Sequence, residues 1–392
     1  MKTKTLLLVL ALIFNSTLII HNSEAQWVNV PNGLSTTIDP FWSLASIGNN
    51  LFAANRFGVY KSTNDGLNWA LTNLQQTGNV LLVDGLNIYA GASYGVHLTT
   101  NNGLNWSSLG TDTVPRSIWT LAKYGDTIFA GCSNALGVFR STNKGLNWKR
   151  TLIGVDISSI VIKGNYIFAG NWEQPSVFYS TNNGSNWGIT SLGGSYPRVV
   201  LSLFVKGNLI FAGTDNDGVF VSSNNGLNWT QTSLNNASIN CFHVIDNNIF
   251  AGELFYQKGV YLSTNDGVSW IHKNQGMVNE EVWSLTSNSQ YIFAGTEKSI
   301  WRRSITEIVG VQNISTEIPA KYSLSQNFPN PFNPTTKIRF DVARVGDVKI
   351  VVYDIMGREV RTLLNEQLKP GTYEATFDGN GLNSGVYFYE LM

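Results

Sequence analysis

One eight-residue phrase recurs six times along this chain. It reads Ser/Thr, any residue, Asn, any residue, Gly, any residue, Asn/Ser, Trp. The copies span Ser62–Trp69, Thr99–Trp106, Ser141–Trp148, Ser180–Trp187, Ser222–Trp229 and Ser263–Trp270. Their closing tryptophans lie 37, 42, 39, 42 and 41 residues apart. A unit of about forty residues cannot bury its apolar faces alone, so such units must stack into an array. This excludes most folds before composition is considered.

A second phrase keeps step with the first and appears seven times, at Asn50–Ala54, Asn87–Gly91, Thr127–Gly131, Tyr166–Gly170, Leu209–Gly213, Asn248–Gly252 and Tyr291–Gly295. Most copies read Ile-Phe-Ala-Gly at the core. An apolar segment such as Trp42-Ser-Leu-Ala45, Trp119-Thr-Leu-Ala122 or Trp283-Ser-Leu-Thr286 precedes each. The unit therefore holds four short strands: a, the Ser-Leu segment; b, the Ile-Phe-Ala-Gly phrase; c, as in Gly58–Ser62; and d, beginning at the tryptophan. Each is bounded by Gly or Asn turns. Four strands per forty residues is the blade of a β-propeller. No segment shows helical periodicity.

Seven a-b pairs accompany only six complete c-d hairpins. The seventh unit has a strand c at Ser299–Arg303 and then leaves the pattern. The missing strand d is expected at the other end of the chain, where Trp27-Val-Asn-Val30 has the same Trp-first look. Pairing it beside residues 299–303 closes a ring of seven, since an open ring leaves a free sheet edge.

Lys+Arg and Asp+Glu both number 26, so the chain has no basic field to hold nucleic acid. Lys2 and Lys4 precede an apolar run from Leu6 to Phe14, and Ser23-Glu24-Ala25 is a small-x-small cleavage site. Residues 1–25 read as a signal peptide. Asn15, Ser16 and Thr17 interrupt the run, which argues against a membrane anchor. No later segment is apolar enough to span a bilayer. Cys132 and Cys241 fall in units three apart, so no disulfide is expected between them. No His lies at ligand spacing to either, and no metal or cofactor is expected.

The chemistry of the eight-residue phrase is a turn. The Ser/Thr hydroxyl (Ser62 in the first copy) and the Asn side chain can accept backbone N–H groups across the hairpin tip. The glycine supplies positive φ. The tryptophan packs over the hairpin base. The residues in these roles are Asn64, Asn101, Asn143, Asn182, Asn224 and Asn265; Gly66, Gly103, Gly145, Gly184, Gly226 and Gly267; and Trp69, Trp106, Trp148, Trp187, Trp229 and Trp270. The six phrases resemble the Asp-box, or BNR, repeat of sialidases, sortilin-like receptors, some other glycosidases and a photosystem assembly factor. That repeat has Asp where this chain has Asn six times. Asn serves the turn equally well. As a set of Ca²⁺ ligands neutral Asn is poor, so a structural role is expected.

In propellers of that kind the ligand mouth is formed by the b-c and d-a loops. The resemblance places Trp42, Arg56, Trp119, Trp172, Glu173, Arg198, Glu253 and Trp283 there as candidate ligand-binding residues. For any single tryptophan, packing between blades competes with that role. Aromatic rings near Glu, Asp and Arg suit sugar or peptide recognition. Sialidases use an arginine triad, a Tyr–Glu pair, an Asp acid and an Arg-Ile-Pro phrase. That phrase is missing; loop arginines are few, Arg56, Arg116 and Arg198 being the clearest, and they suffice for a triad by count alone. Paired carboxylates for glycoside hydrolysis would come from Glu173, Glu253, Glu280 or Glu281. The favoured expectation is a binding or interaction module for an unknown glycan or protein. A sialidase-like hydrolase is the alternative, and no catalytic residue is assigned.

Residues 304–321 read as a linker ending near Pro319. Beyond it, residues 322–392 alternate in the manner of strands with Gly, Asn and Pro turns, as expected of a small immunoglobulin-like β-sandwich. The phrases Asn327-Phe-Pro-Asn-Pro-Phe-Asn-Pro334, Tyr353-Asp-Ile-Met-Gly-Arg-Glu-Val360 and Ser384-Gly-Val-Tyr-Phe-Tyr389 closely resemble the type A C-terminal sorting domain of the type IX secretion system. That resemblance implies export to the cell surface or medium, with the type IX machinery as partner. Members of that family usually continue to a last strand rich in Lys and apolar residues. This chain stops at Met392, so a C-terminally truncated fragment is expected. The sequence as a whole predicts an all-β protein, a seven-bladed propeller over residues 26–303 followed by the sandwich.

Overall fold

The computed structural model describes residues 26–392 apart from 111–114, 194–198, 309, 316 and 380–381. Seven four-stranded antiparallel sheets follow one another along the described chain. Blade 1 comprises Ser43–Ile47, Asn50–Asn55, Gly58–Ser62 and Ala70–Leu71, as strands a to d. Blades 2 to 6 repeat that order, with strand a at Gly78–Asp84, Ile118–Tyr124, Ile157–Lys163, Val200–Lys206 and Ile239–Ile245. Strand a of each blade packs against strand a of the next, and that of blade 7 (Val282–Ser287) returns to that of blade 1.

The seventh sheet is completed from the N-terminus. Val28 pairs with Arg302 and Asn29 with Trp301. Trp27 is 2% exposed and its Nε1 donates to the Lys273 carbonyl at 2.7 Å. It sits in an apolar cluster drawn from blades 6 and 7, alongside Val260, Leu262, Val282 and Ile292. The latch is thus a core residue and not only a pair of ladder bonds.

The blade-to-blade core explains the second phrase. Its Phe is fully buried in six blades, at Phe52, Phe129, Phe168, Phe211, Phe250 and Phe293, and Tyr89 takes that place in blade 2. Burying each stabilises the ring by roughly 1.5–3 kcal/mol. The phrase's final Gly lies where the next blade comes closest. A Cβ on Gly131 would stand 2.6 Å from Ile157 Cγ2, and one on Gly252 2.6 Å from Val282 Cγ1. Blade 1 carries Ala54 at this position, and the facing residue of blade 2 is Gly78, whose added Cβ would meet Ala54 Cβ at 3.2 Å. Here the side chain, a single methyl, stands on the blade 1 side, and the facing position is the one left bare.

The six hairpin tips share one hydrogen-bond pattern. The Gly N–H donates to the Ser/Thr hydroxyl at 2.8–3.1 Å. The Asn Oδ1 accepts that hydroxyl's own proton and also the backbone N–H four residues on, at 2.9–3.1 Å. Each Asn oxygen is therefore already engaged within the turn. The glycine has a second duty the sequence did not reveal. Gly184 has φ +71°, and a Cβ there would also stand 2.7 Å from the Phe129 ring of the preceding blade. Cations reach across the same junctions, as Lys61 does to the Asn102 carbonyl and Arg302 to that of Asp65. Strand d begins one residue after the tryptophan in blade 1 and stays short, two residues in blades 1, 5 and 6.

After blade 7, Ile305–Ile308 forms one helical turn whose Ile308 is buried in the cluster holding Trp27. Part of the stretch expected as a linker is therefore structured. Val311–Ser315 pairs with Gly371–Asp378 as an edge strand. Five residues were too few to show alternation. The tail forms two sheets: Val311–Ser315, Gly371–Asp378, Thr335–Val342 and Ser323–Leu324 in one, and Glu359–Leu368, Gly346–Tyr353 and Phe388–Leu391 in the other. Phe340, Val342, Tyr373 and Ala375 from the first meet Val348, Ile350, Leu364 and Leu368 from the second in one core. This is the sandwich the alternation predicted.

Candidate functional site

A β-bulge near the start of strand a shapes the centre of the ring. In blades 2 to 7 the a-b register slips by one residue, leaving Asn79, Trp119, Ser158, Leu201, Asn240 and Trp283 unpaired in the ladder. In blade 1 the equivalent Trp42 precedes the strand. Bulges re-aim side chains, and all seven of these residues line one cavity of about 660 Å³. Each lies ten residues before the aromatic residue of its blade's second phrase, from Trp42 and Phe52 to Trp283 and Phe293.

Around the ring the seven differ in kind. Trp283 and Trp42 are neighbours in blades 7 and 1, and Trp119 follows two blades on. Trp172, from the b-c loop of blade 4, packs edge-on to Trp119, with ring centroids 5.1 Å apart and planes at 72°. Blades 5 and 6 answer with Leu201 and Asn240. Hydroxyls stitch the wall beneath: Ser43 Oγ accepts from Leu81 N, and Ser284 Oγ donates to the Phe41 carbonyl at 2.7 Å. Asn79 Nδ2 donates to the Ile118 carbonyl and Asn240 Nδ2 to that of Trp283, at 2.8 and 2.9 Å. These bonds span successive blades and hold the carboxamides in place. Cys241 also lines the cavity, and burial pushes its thiol up to about 12. It is no thiolate nucleophile near neutral pH.

The four tryptophans singled out from the sequence thus meet at one cavity. The charged candidates do not join them. Glu173 is exposed on its loop, with its N–H donating to Asn171 Oδ1. Arg56 is tied to Asp39 at 3.2 Å and lies over the Phe57 ring; burial raises the Asp39 pKa, with Arg56 opposing. Glu253 is fully buried and accepts from the Tyr261 hydroxyl at 3.1 Å. Tyr261 is itself only 6% exposed, and burial followed by that carboxylate pushes its pKa up. Glu253 ends a strand b that is buried along its whole length, as the last strand-b residue also is at Asn55, Asn171 and Thr296, which its place beside a loop had hidden. Glu281 pairs with Lys258 at 3.1 Å. Arg198 lies outside the described residues. Asn79, Ser158, Leu201 and Asn240 were not anticipated. Their ten-residue offset from the Phe or Tyr was a usable signal.

No helix among the described residues is long and apolar enough to cross a membrane. Residues 326–392 match the family described as the secretion system C-terminal sorting domain. The protein carries a type IX sorting tail and is secreted or attached at the outer-membrane surface. No curated protein matches the chain in sequence. Solved structures resemble it in fold. An extracellular domain assigned to a one component system from B. thetaiotaomicron is 18% identical with a TM-score of 0.60, over 82% of this chain and 45% of that one. PorZ, a surface component of the type-IX secretion system of Porphyromonas gingivalis, is 13% identical with a TM-score of 0.52, over 90% and 59%. A GH74 enzyme from Niastella koreensis is 14% identical with a TM-score of 0.55, over 88% and 60%. The chain thus spans about half the length of these proteins. They share its propeller architecture and carry different activities, so architecture alone does not choose among them.

Proposed function

We propose that this is an exported binding module that captures its ligand in the central cavity, delivered by a signal peptide at residues 1–25 and by the sorting tail at 322–392. One observation carries the reading: every blade aims one side chain into the same space, and these seven side chains are of four kinds, Trp, Asn, Ser and Leu, while the frame repeats. A purely structural position would be expected to repeat in kind, as the buried Phe does. The six hairpins, read as Asp-box turns, build the frame on this view.

The lining supports capture over hydrolysis. It offers indole, hydroxyl, amide and alkyl groups, whereas glycoside hydrolysis calls for two carboxyl groups flanking the bond. The strongest carboxylate candidate, Glu253, is sealed against Tyr261. A glycosidase screen on the full chain, run beside ligand-induced thermal shifts, tests this. Shifts without turnover are expected. Turnover lost on Glu253→Gln or Glu173→Gln would overturn it. Export is tested by fusing residues 322–392 to a reporter in a host with type IX secretion, and periplasmic retention would count against it.

A further inference from the structure

The geometry points to a neutral oligosaccharide as the ligand of the central cavity. This rests on the cavity being the ligand site, as proposed above, and adds its chemical class. Among the described residues, the lining contains no Lys, Arg, Asp, Glu or His. A ligand carrying a charge would give up part of its hydration there with no counter-charge among the described residues to offset it. Sialic acids, uronic acids and peptide termini are disfavoured on this ground.

What the cavity does offer is directional. Trp119 and Trp172 meet edge-on, so they present planes 72° apart, and Trp172 is 36% exposed on its loop. An indole face carries partial negative charge. The C–H hydrogens on one side of a pyranose ring carry the opposite sign, and the ring is flat enough to cover an indole. Asn79 and Asn240 use their NH₂ groups on backbone carbonyls, and neither Oδ1 has a protein donor among the described residues. Each is an oriented acceptor for a hydroxyl, and Ser93 and Ser133 add hydroxyls to the lining. Flat apolar faces combined with fixed hydroxyl acceptors, and no charge, fit an uncharged sugar better than a wholly apolar compound, which would leave the carboxamides unmet. A cavity of about 660 Å³ falls within the size range of small-molecule sites, about 300–1,000 Å³.

The test is calorimetric titration of the full chain with two sets of oligosaccharides. The neutral set comprises gluco-, xylo-, manno- and N-acetylglucosamine oligomers. The charged set comprises sialyllactose and oligogalacturonate. Binding of at least one neutral oligomer is expected, with an affinity that changes little between low and high salt. Trp172→Ala and Trp119→Ala should weaken it about tenfold or more. Asn240→Leu should weaken it while the protein still melts in one cooperative transition, somewhat lower because the Trp283 carbonyl loses its donor, which keeps the assignment testable where a tryptophan variant folds poorly. Failure of every neutral oligomer to bind at millimolar concentration overturns the sugar assignment. A charged oligomer whose binding is lost on Trp172→Ala would overturn it too, yet leave the cavity as the site. A neutral sugar whose binding ignores all three substitutions would remove the cavity itself.

Discussion

Where blade 1 meets blade 2 the glycine stands on the opposite side from the other junctions, and this invites a double-mutant cycle. Elsewhere the second phrase ends in Gly and faces a large residue, as Gly170 faces Val200. Here Ala54 faces Gly78. Ala54→Gly removes a buried methyl worth about 0.8 kcal/mol and adds roughly 0.5–1 kcal/mol of backbone entropy. Its cost is therefore about 1.5 kcal/mol. Gly78→Val places a Cβ 3.2 Å from Ala54 Cβ and 3.5 Å from Val59 Cγ2, with two further carbons to house. Overpacking of that kind costs about 1–3 kcal/mol. Made together, the two changes recreate the Gly170–Val200 pair. The double variant should lie within about 1 kcal/mol of the parent, so the coupling should be about 2–3 kcal/mol. Urea unfolding followed by tryptophan fluorescence reads this cleanly, because all 12 tryptophans fall between Trp27 and Trp301 and the sandwich is silent. Costs that simply add, with coupling below about 0.5 kcal/mol, would refute the claim that close approach, rather than local backbone, selects these glycines.

Trp27→Ala should destabilise the propeller by about 3–5 kcal/mol in the same assay, as expected for a buried Trp, and a loss under about 1 kcal/mol would mean the ring holds without its latch. Gly184→Ala should cost clearly more than Gly164→Ala: both have positive φ, but only the former drives a Cβ into an aromatic ring, while the latter meets nothing within 4 Å. Equal costs would show that φ alone matters. His243 is held neutral by burial, its pKa lowered from 6.5 to about 4. The unfolded chain takes up a proton that the folded one refuses, so stability is full above pH 6.5 and falls as pH drops towards 4, by up to about 3 kcal/mol. His243→Gln should flatten that slope, leaving the smaller share of His97, which burial also lowers; an unchanged slope between pH 6.5 and 4 would rule His243 out.

The architecture was readable because it is written seven times. Spacing of Trp69 to Trp270 set the unit, the Ile-Phe-Ala-Gly count set the number of blades, and the unmatched Ser299–Arg303 strand called for Trp27–Val30, which pairs there. The strand at Val311–Ser315 escaped because it occurs once, is short, and pairs with a partner some sixty residues later. Turn glycines were assigned to φ alone, since a sequence shows a residue's own backbone needs but not the Phe129 ring that crowds Gly184 from another blade.

The site was half legible for a different reason. Tryptophan announces itself, so Trp42, Trp119, Trp172 and Trp283 could be picked out one at a time. Glu253 and Arg56 were picked by the same habit, chemistry near a loop, and the fold sends one into the core and the other onto Asp39. Asn79, Ser158, Leu201 and Asn240 are carboxamides, a hydroxyl and an alkyl group, and nothing in their own neighbourhoods marks them. What they share is an offset of ten residues from the blade's central aromatic, one residue of which the bulge takes out of the ladder. In a closed repeat the positions that recur in kind hold the frame, because every junction imposes the same packing. A position that recurs in register but not in kind is freed from that packing and faces a space all blades share. Searching for such positions finds the ring residues, including the undistinguished ones, without any need to guess which loop carries the chemistry.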